Sequence, residues 1–142
     1  MKNKTIGTIT ILSVIGLIDS VYLLIYKLSN NNAMCLGSGD CATVNASRYS
    51  ELYGIPVALL GVLAYLAIII LVFFEMRNLF TKENSSLLIF GISLVGVLFS
   101  GYLTYIEYFV IHAVCPFCVA SAIVITIIFI ISLIRLVNNL SN

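Results

Sequence analysis

The sequence predicts an all-α membrane protein, a bundle of four transmembrane helices. Of its 142 residues, 61% are hydrophobic and only 9% are charged, whereas about 25% of the residues in a soluble domain are charged. So few charged side chains cannot cover a surface that faces water. The formal net charge of +1 also offers no basic surface for a nucleic acid. These values argue against a soluble enzyme, a disordered chain and a nucleic-acid binder.

Four stretches are long and apolar enough to cross a bilayer, which takes about 20 residues at roughly 1.5 Å each. They are residues 6–28, 56–74, 87–110 and 116–134. The first stretch is too long for a cleaved signal peptide and is not followed by a small-residue cleavage site. Antiparallel spans joined by short connections are typical of a four-helix bundle.

The distribution of basic residues predicts how the four spans are oriented. Five of them would lie on one side of the membrane and two on the other: Lys2, Lys4, Arg77, Lys82 and Arg135, against Lys27 and Arg48. Because cytoplasmic segments carry the excess of Lys and Arg, both termini and the connection 75–86 are predicted to be cytoplasmic. The long connection 29–55 and the short connection 111–115 would then face outward.

All four cysteines fall on the predicted outer side, where disulfides persist. Cys115 and Cys118 are separated by Pro116 and Phe117, and proline suits the first position of a helix. Cys115 is therefore expected near the N-cap, with Cys118 one turn inside the helix. The positive end of a helix favours a thiolate, which is the nucleophile of disulfide exchange. The spacing predicts a redox-active pair, and two buried cysteines without a redox role are the alternative.

Cys35 and Cys41 form the second pair, with two glycines among the five residues between them. A structural disulfide and a mobile shuttle pair are both compatible with this loop. Together the two pairs suggest a relay, in which exchange moves two electrons through a mixed disulfide and a quinone in the membrane then accepts them. Four cysteines would also suffice for zinc, but these spacings at an oxidising face argue against a metal site.

Several motifs resemble the vitamin K epoxide reductase family, and within it the standalone bacterial and archaeal members. The loop pair comes first and the Cys-X-X-Cys motif last, and Ser47 follows Cys41 by six residues. The remaining features are Arg48 and Tyr49 after that serine, the run 53–61 at the start of the second span, and the runs 100–107 and 119–121 around the Cys115 motif. The resemblance extends from about residue 6 to the end of the fourth span.

The resemblance implies a role for each cysteine. Cys35 would exchange with the thiols of a partner protein, Cys41 would pass the electrons to Cys115, and Cys118 would deliver them to the quinone. It also implies a four-helix bundle around the quinone, capped by a half-helix over residues 45–52 of the long outer loop. The chain would form a single membrane domain without a fused thioredoxin domain, so its thioredoxin-like or DsbA-like partner would be a separate exported protein.

Further residues are expected to act near the quinone. By resemblance, Ser47 supports the site, and Pro56 and Val57 stand where vertebrate members have a quinone-binding asparagine. Vertebrate members also carry a tyrosine at the position of Ala122, and these departures argue against epoxide reduction as the natural reaction. Glu107 and His112 are candidates for proton transfer or support, whereas Asp19, deeper in its span, is expected to form a structural hydrogen bond to a neighbouring helix.

The predicted function is that of a membrane thiol:quinone oxidoreductase. It would lie in the cytoplasmic membrane, reoxidise its partner with ubiquinone or menaquinone, and thereby support disulfide formation in exported proteins. One alternative is a quinone-linked catalyst of the DsbB type, but in that type the Cys-X-X-Cys motif precedes the spaced pair. The other alternative is a non-enzymatic membrane subunit whose cysteines form structural disulfides.

Overall fold

The computed structural model describes residues 2–29, 43 and 46–141 and confirms the predicted fold class. Within that part of the chain, four helices are long and apolar enough to cross a membrane, and the chain is a multi-pass membrane protein. They are α1 Lys2–Ser29, α2 Val57–Met76, α3 Lys82–Ile106 and α4 Pro116–Leu140. A five-residue π-helical turn, Glu107–Ile111, extends α3.

Three of the helices extend by four or more residues beyond the apolar stretches that predict them, and the first of these, α1, begins at Lys2 rather than at residue 6. Helix α3 begins at Lys82 rather than at residue 87, and α4 continues past residue 134 to Leu140. Polar residues such as Glu83 and Asn138 occupy these added turns. The backbone hydrogen bonds of a helix continue where the side chains turn polar, so hydropathy marks the apolar core of each helix better than its ends.

The four helices pack as a closed ring, with α3 on α4 and α1 on α2 forming the most extensive contacts. We call the end of the bundle that holds Cys115 the cysteine end, because α1 and α3 finish there and α2 and α4 begin there. The buried apolar core lies toward the opposite end and includes Ile9, Ile68, Ile89 and Ile128.

A glycine sets the distance between α1 and α2. A Cβ atom added at Gly16 would lie 2.4 Å from the ring of Tyr65, which is 2% exposed. Small residues at helix interfaces let backbones approach closely in membrane proteins. Gly96 plays the same part between α3 and α4, where an added Cβ would lie 2.8 Å from the side chain of Ile125.

Replacing Gly16 by alanine is expected to destabilise the bundle by about 1–3 kcal/mol, since overpacking forces side chains and backbone to shift. Gly7→Ala in the same helix is the matched control, because a Cβ at Gly7 meets nothing within 4 Å. The control should be neutral or stabilising, because alanine is the better helix former. Unfolding in detergent measures both free energies, and equal values would contradict the packing role of Gly16.

A buried polar cluster joins three helices at the opposite end of the bundle. Arg135 of α4 forms an ion pair with Glu75 of α2, and Ser85 of α3 donates a hydrogen bond of 2.8 Å to the same carboxylate. Glu75 is only 5% exposed, although the sequence assigned it to the polar connection 75–86. Beside it, Asn139 donates a hydrogen bond of 3.1 Å to Ser86.

The long outer connection ends in a turn and a small hairpin. Asn45, the first residue of the expected half-helix over 45–52, lies outside the described residues. The later part of that segment has a 3-10 turn over Arg48–Ser50, after which Glu51–Leu52 pairs antiparallel with Ile55–Pro56. Tyr53 and Gly54 join the two strands with φ values of 53° and 82°, as the favoured two-residue hairpin turn requires. This pairing ends the helical segment at Ser50.

Lys27 holds this connection against the end of α1. Its ammonium group donates a hydrogen bond of 2.6 Å to the Ser50 hydroxyl and lies 3.3 Å from a carboxylate oxygen of Glu51. The Ser50 hydroxyl in turn donates to the backbone carbonyl of Ser47, at 2.8 Å. The lysine thereby fixes the position of Ser47 at the cysteine end.

Candidate active site

Cys115 and Cys118 lie at the start of α4, where the sequence predicts them. Cys115 is the N-cap residue, with extended backbone angles, and Pro116 opens the helix. The first helical hydrogen bond runs from the Val119 N–H to the Cys115 carbonyl, at 3.1 Å. The Cys115 side chain is fully buried and that of Cys118 is half-buried. In the structure the two residues are thiols in hydrogen-bond contact with each other.

The surroundings of Cys115 hold the pKa of its thiol below the ordinary value. The largest cause is the hydrogen bond from the Cys118 thiol, and the backbone N–H groups of Cys118 and Phe117 at the helix start act in the same direction. Burial and the negative charge of Glu107 oppose them. A thiolate at Cys115 is therefore populated at a lower pH than at an ordinary cysteine.

Removing the Cys118 hydrogen bond is expected to raise the pKa of Cys115. Cys118→Ala lacks the donor, whereas Cys118→Ser keeps an O–H group that still donates to the thiolate. With Cys35 and Cys41 replaced by serine, the rate of alkylation by a small uncharged reagent measures the thiolate fraction at Cys115. The rate should reach its plateau at a higher pH in the alanine variant than in the serine variant. Coincident pH profiles would contradict the role of this hydrogen bond.

The Glu107 carboxylate contacts both residues of the cysteine pair. The widened turn Glu107–Ile111 ends at His112, which has a left-handed φ of 56°. The N–H groups of His112 and Ala113 both donate to the Glu107 carbonyl. This geometry reverses the chain, so that the Cys115 N–H points at the Glu107 side chain, 3.4 Å from its Oε2 atom. The Cys118 thiol contacts the same carboxylate, which is 4% exposed.

A cavity of about 650 Å³ extends from Cys118 into the bundle. Its volume is typical of small-molecule sites, and its walls are mostly apolar. The apolar walls are formed by Leu60, Ala64, Ile92, Val95, Phe99 and Leu103. Ser47, Pro56 and Val57 line this same cavity together with Glu107. The residues present therefore fit a flat apolar ring next to the Cys118 sulfur.

Tyr65, Ser121 and Lys27 also line the cavity, and the sequence did not assign them to the site. The Tyr65 hydroxyl donates to the Ser121 carbonyl at 3.0 Å and lies 3.1 Å from the Ser121 hydroxyl. The position of Tyr65 in the middle of the apolar run 57–74 could have indicated a role in the site. The aromatic residues of a membrane belt lie near the ends of spans instead.

The remaining candidate residues lie elsewhere or outside the described part of the chain. His112 is exposed and is not among the residues that line the cavity. Asp19 has a buried carboxylate oxygen without a hydrogen-bond partner among the described residues. Cys35 and Cys41 lie outside the described residues. Within the described ranges, no three His, Cys, Asp or Glu side chains come together as a metal site would require.

Comparison with known proteins adds two findings. A sequence model of the vitamin K epoxide reductase family matches residues 8–133. Thiol-disulfide oxidoreductase LTO1 of Arabidopsis thaliana is 28% identical over 113 residues, which cover 75% of this chain and 30% of that protein. The chain thus spans less than a third of the length of this relative.

Proposed function

The chain belongs to the vitamin K epoxide reductase family, and from this premise we propose that it is a membrane thiol:quinone oxidoreductase. It reoxidises a thioredoxin-like, DsbA-like exported protein and passes the electrons to a quinone of the membrane. The observation that carries the proposal is the thiol pair at the start of α4, which opens through Cys118 onto an apolar cavity. The resulting supply of oxidised partner supports disulfide formation in exported proteins.

The electrons travel by thiol–disulfide exchange from one pair to the other. The partner reduces the Cys35–Cys41 disulfide, and the Cys41 thiolate then attacks Cys115 in a Cys115–Cys118 disulfide, which releases Cys118. Cys35 resolves the mixed disulfide by attacking Cys41, and Cys115 leaves as a thiolate. Its lowered pKa favours this step, because a thiol of low pKa is the better leaving group. Cys118 remains reduced, next to the cavity.

The cavity residues hold and orient the electron acceptor. A quinone, when bound, accepts two electrons and two protons. The apolar walls would bury its ring, and Ser47 of the outer connection and Ser121 of the fourth span line the same cavity with polar side chains.

The bundle lies in the cell membrane with the cysteine end outward and both termini in the cytoplasm. The basic residues support this orientation, because cytoplasmic segments carry the excess of Lys and Arg. Lys27 and Arg48 lie at the cysteine end, and a larger number of basic residues lie at the opposite end. The latter are Lys4, Arg77, Lys82 and Arg135.

The proposal is tested by quinone reduction with the purified protein. The protein in lipid nanodiscs is mixed with a reduced thioredoxin-like protein and with either ubiquinone or menaquinone, and quinol formation is followed by absorbance. One quinol should appear for each disulfide formed in the partner, and protein whose thiols were alkylated beforehand is the control. No quinol, together with cysteine pairs that resist mild reductant, would overturn the proposal in favour of a subunit with structural disulfides.

A further inference from the structure

Two glutamates are buried among the described residues, and their surroundings differ. Glu75, at the opposite end, is paired with Arg135. Glu107, at the cysteine end, has no Lys or Arg within ion-pair distance among the described residues. An ionisable group within a membrane-spanning segment is costly unless it is paired or has a function. The contacts of Glu107 are the two reacting cysteines.

The geometry aims the Glu107 carboxylate at the Cys118 thiol. One oxygen, Oε2, accepts the Cys115 N–H at 3.4 Å, which holds the side chain against the start of α4. The Cys118 thiol is in hydrogen-bond contact with two acceptors, the Cys115 sulfur and the Glu107 carboxylate. Glu107 and Cys118 also line the same cavity.

Closing the Cys115–Cys118 disulfide requires the Cys118 proton to leave. The nucleophile of disulfide chemistry is the thiolate, and a second thiolate beside that of Cys115 is disfavoured by like charge. The apolar side chains that form most of the cavity lining around Cys118 also cannot accept a proton. A base in direct contact with the thiol would remove both obstacles, and within the described residues Glu107 is the carboxylate in that position.

We propose that Glu107 accepts the proton of the Cys118 thiol while the Cys115–Cys118 disulfide forms, an inference that rests on the proposed function. In this step the S–H bond of Cys118 breaks and the S–S bond forms. The proton goes to the Glu107 carboxylate, and the Cys115 sulfur reacts as the thiolate that has already lost its proton. The two electrons pass to the oxidant, which is a quinone in the membrane or a small disulfide in the test below.

Other titratable side chains face this site from the neighbouring elements, but none of those described is a carboxylate in contact with the Cys118 thiol. Lys27 of α1 is paired with Glu51, and Tyr65 of α2 is hydrogen-bonded to Ser121. The others are Tyr26 of α1, which packs against Cys115, and Tyr49 of the outer connection, which lines the cavity. Neither tyrosine supplies a carboxylate base.

The test uses the full chain with Cys35 and Cys41 replaced by serine, no quinone, and an excess of dithiodipyridine, an uncharged aromatic disulfide. The first pyridinethione is released when Cys115 forms a mixed disulfide with the reagent. The second is released when Cys118 attacks that mixed disulfide, and the rate of this phase is independent of reagent concentration. Stopped-flow absorbance separates the two phases.

Glu107→Gln should slow only the second phase, by about 100-fold at neutral pH, since general bases contribute about 10²–10⁴ in rate. Its amide oxygen still accepts the Cys115 N–H, so the local structure is kept. The wild-type rate should be independent of pH between about pH 6 and 8, whereas the rate of the variant should rise about tenfold per pH unit as hydroxide replaces the lost base. Glu107→Asp should restore part of the rate.

Glu75→Gln is the matched control, because it removes the carboxylate of the other buried glutamate. It should lower the thermal stability and leave both phases unchanged. A second phase in Glu107→Gln that is within about threefold of wild type and flat with pH would overturn the proposal. Should the glutamine variant not fold, a wild-type rate that rises tenfold per pH unit would overturn it equally. If the protein reduces quinone but Glu107→Gln does not slow the second phase, only this inference is refuted. If Glu107→Gln slows the second phase as expected but the protein does not reduce quinone, only the proposed function is refuted.

Discussion

Cys118→Ser is expected to lower quinone-linked turnover by at least about 1,000-fold, because serine cannot form the disulfide through which electrons leave the bundle. The hydroxyl has nearly the same shape as the thiol and keeps one O–H donor for Cys115 or Glu107. Insertion and thermal stability should therefore stay close to those of wild type. Quinol formation and unfolding in detergent measure the two properties separately.

The same variant should also accumulate a trapped intermediate. Without Cys118, the Cys115 thiolate can still attack the Cys35–Cys41 disulfide and form a mixed disulfide with Cys41, and only the return attack of Cys35 remains to resolve it. Non-reducing electrophoresis after proteolysis between residues 41 and 115 would detect this cross-link. Ala120→Ser, an exposed change in the same helical turn, is the control and should behave as wild type. Normal turnover by Cys118→Ser would rule out the assigned electron route.

Arg135→Met is expected to destabilise the bundle by about 3–5 kcal/mol, the usual cost of leaving one partner of a buried ion pair without its counter-charge. Glu75 would keep only the hydrogen bond from Ser85, in a position that is 5% exposed. The free energy of unfolding in mixed micelles measures the loss. Quinone reduction at a temperature where the variant is folded should be unchanged, because the ion pair lies at the end of the bundle away from the thiols.

A double substitution separates the ion pair from the packing of its side chains. Arg135→Met combined with Glu75→Leu removes both charges, and replacing a buried pair by apolar residues is often neutral or stabilising. The double variant should therefore be more stable than Arg135→Met alone. Arg77→Met is the control, since Arg77 is exposed and stacks over the Phe73 ring at 5.3 Å, a contact worth about 0.5–1 kcal/mol. Equal stability of the single and double variants would contradict a buried, coupled pair.

The features that depend only on residues close in sequence were predictable from the sequence. The length and hydropathy of the apolar stretches predicted four membrane helices, and the proline after Cys115 predicted the start of α4. Both follow from local rules, the thickness of a bilayer and the missing N–H of proline. The placement of the thiol pair at a helix N-terminus, and with it the thiolate character of Cys115, needs no information about the rest of the chain.

The burial of the two glutamates was decided by the tertiary structure. Glu75 appeared to begin a polar connection, and it is buried only because Arg135, 60 positions further along the chain, meets it across the helix interface. Glu107 was one of several candidates near the outer end, and the reversal of the chain at His112 brings it behind Cys118. Tyr65 and Ser121 meet for the same reason. The sequence by itself determined which segments are long and apolar enough to cross the membrane and that Cys115 and Cys118 lie at a helix start, because these features depend on local composition. Which residues assist the two cysteines depends on how the helix faces pack together, and only the folded bundle determines that packing.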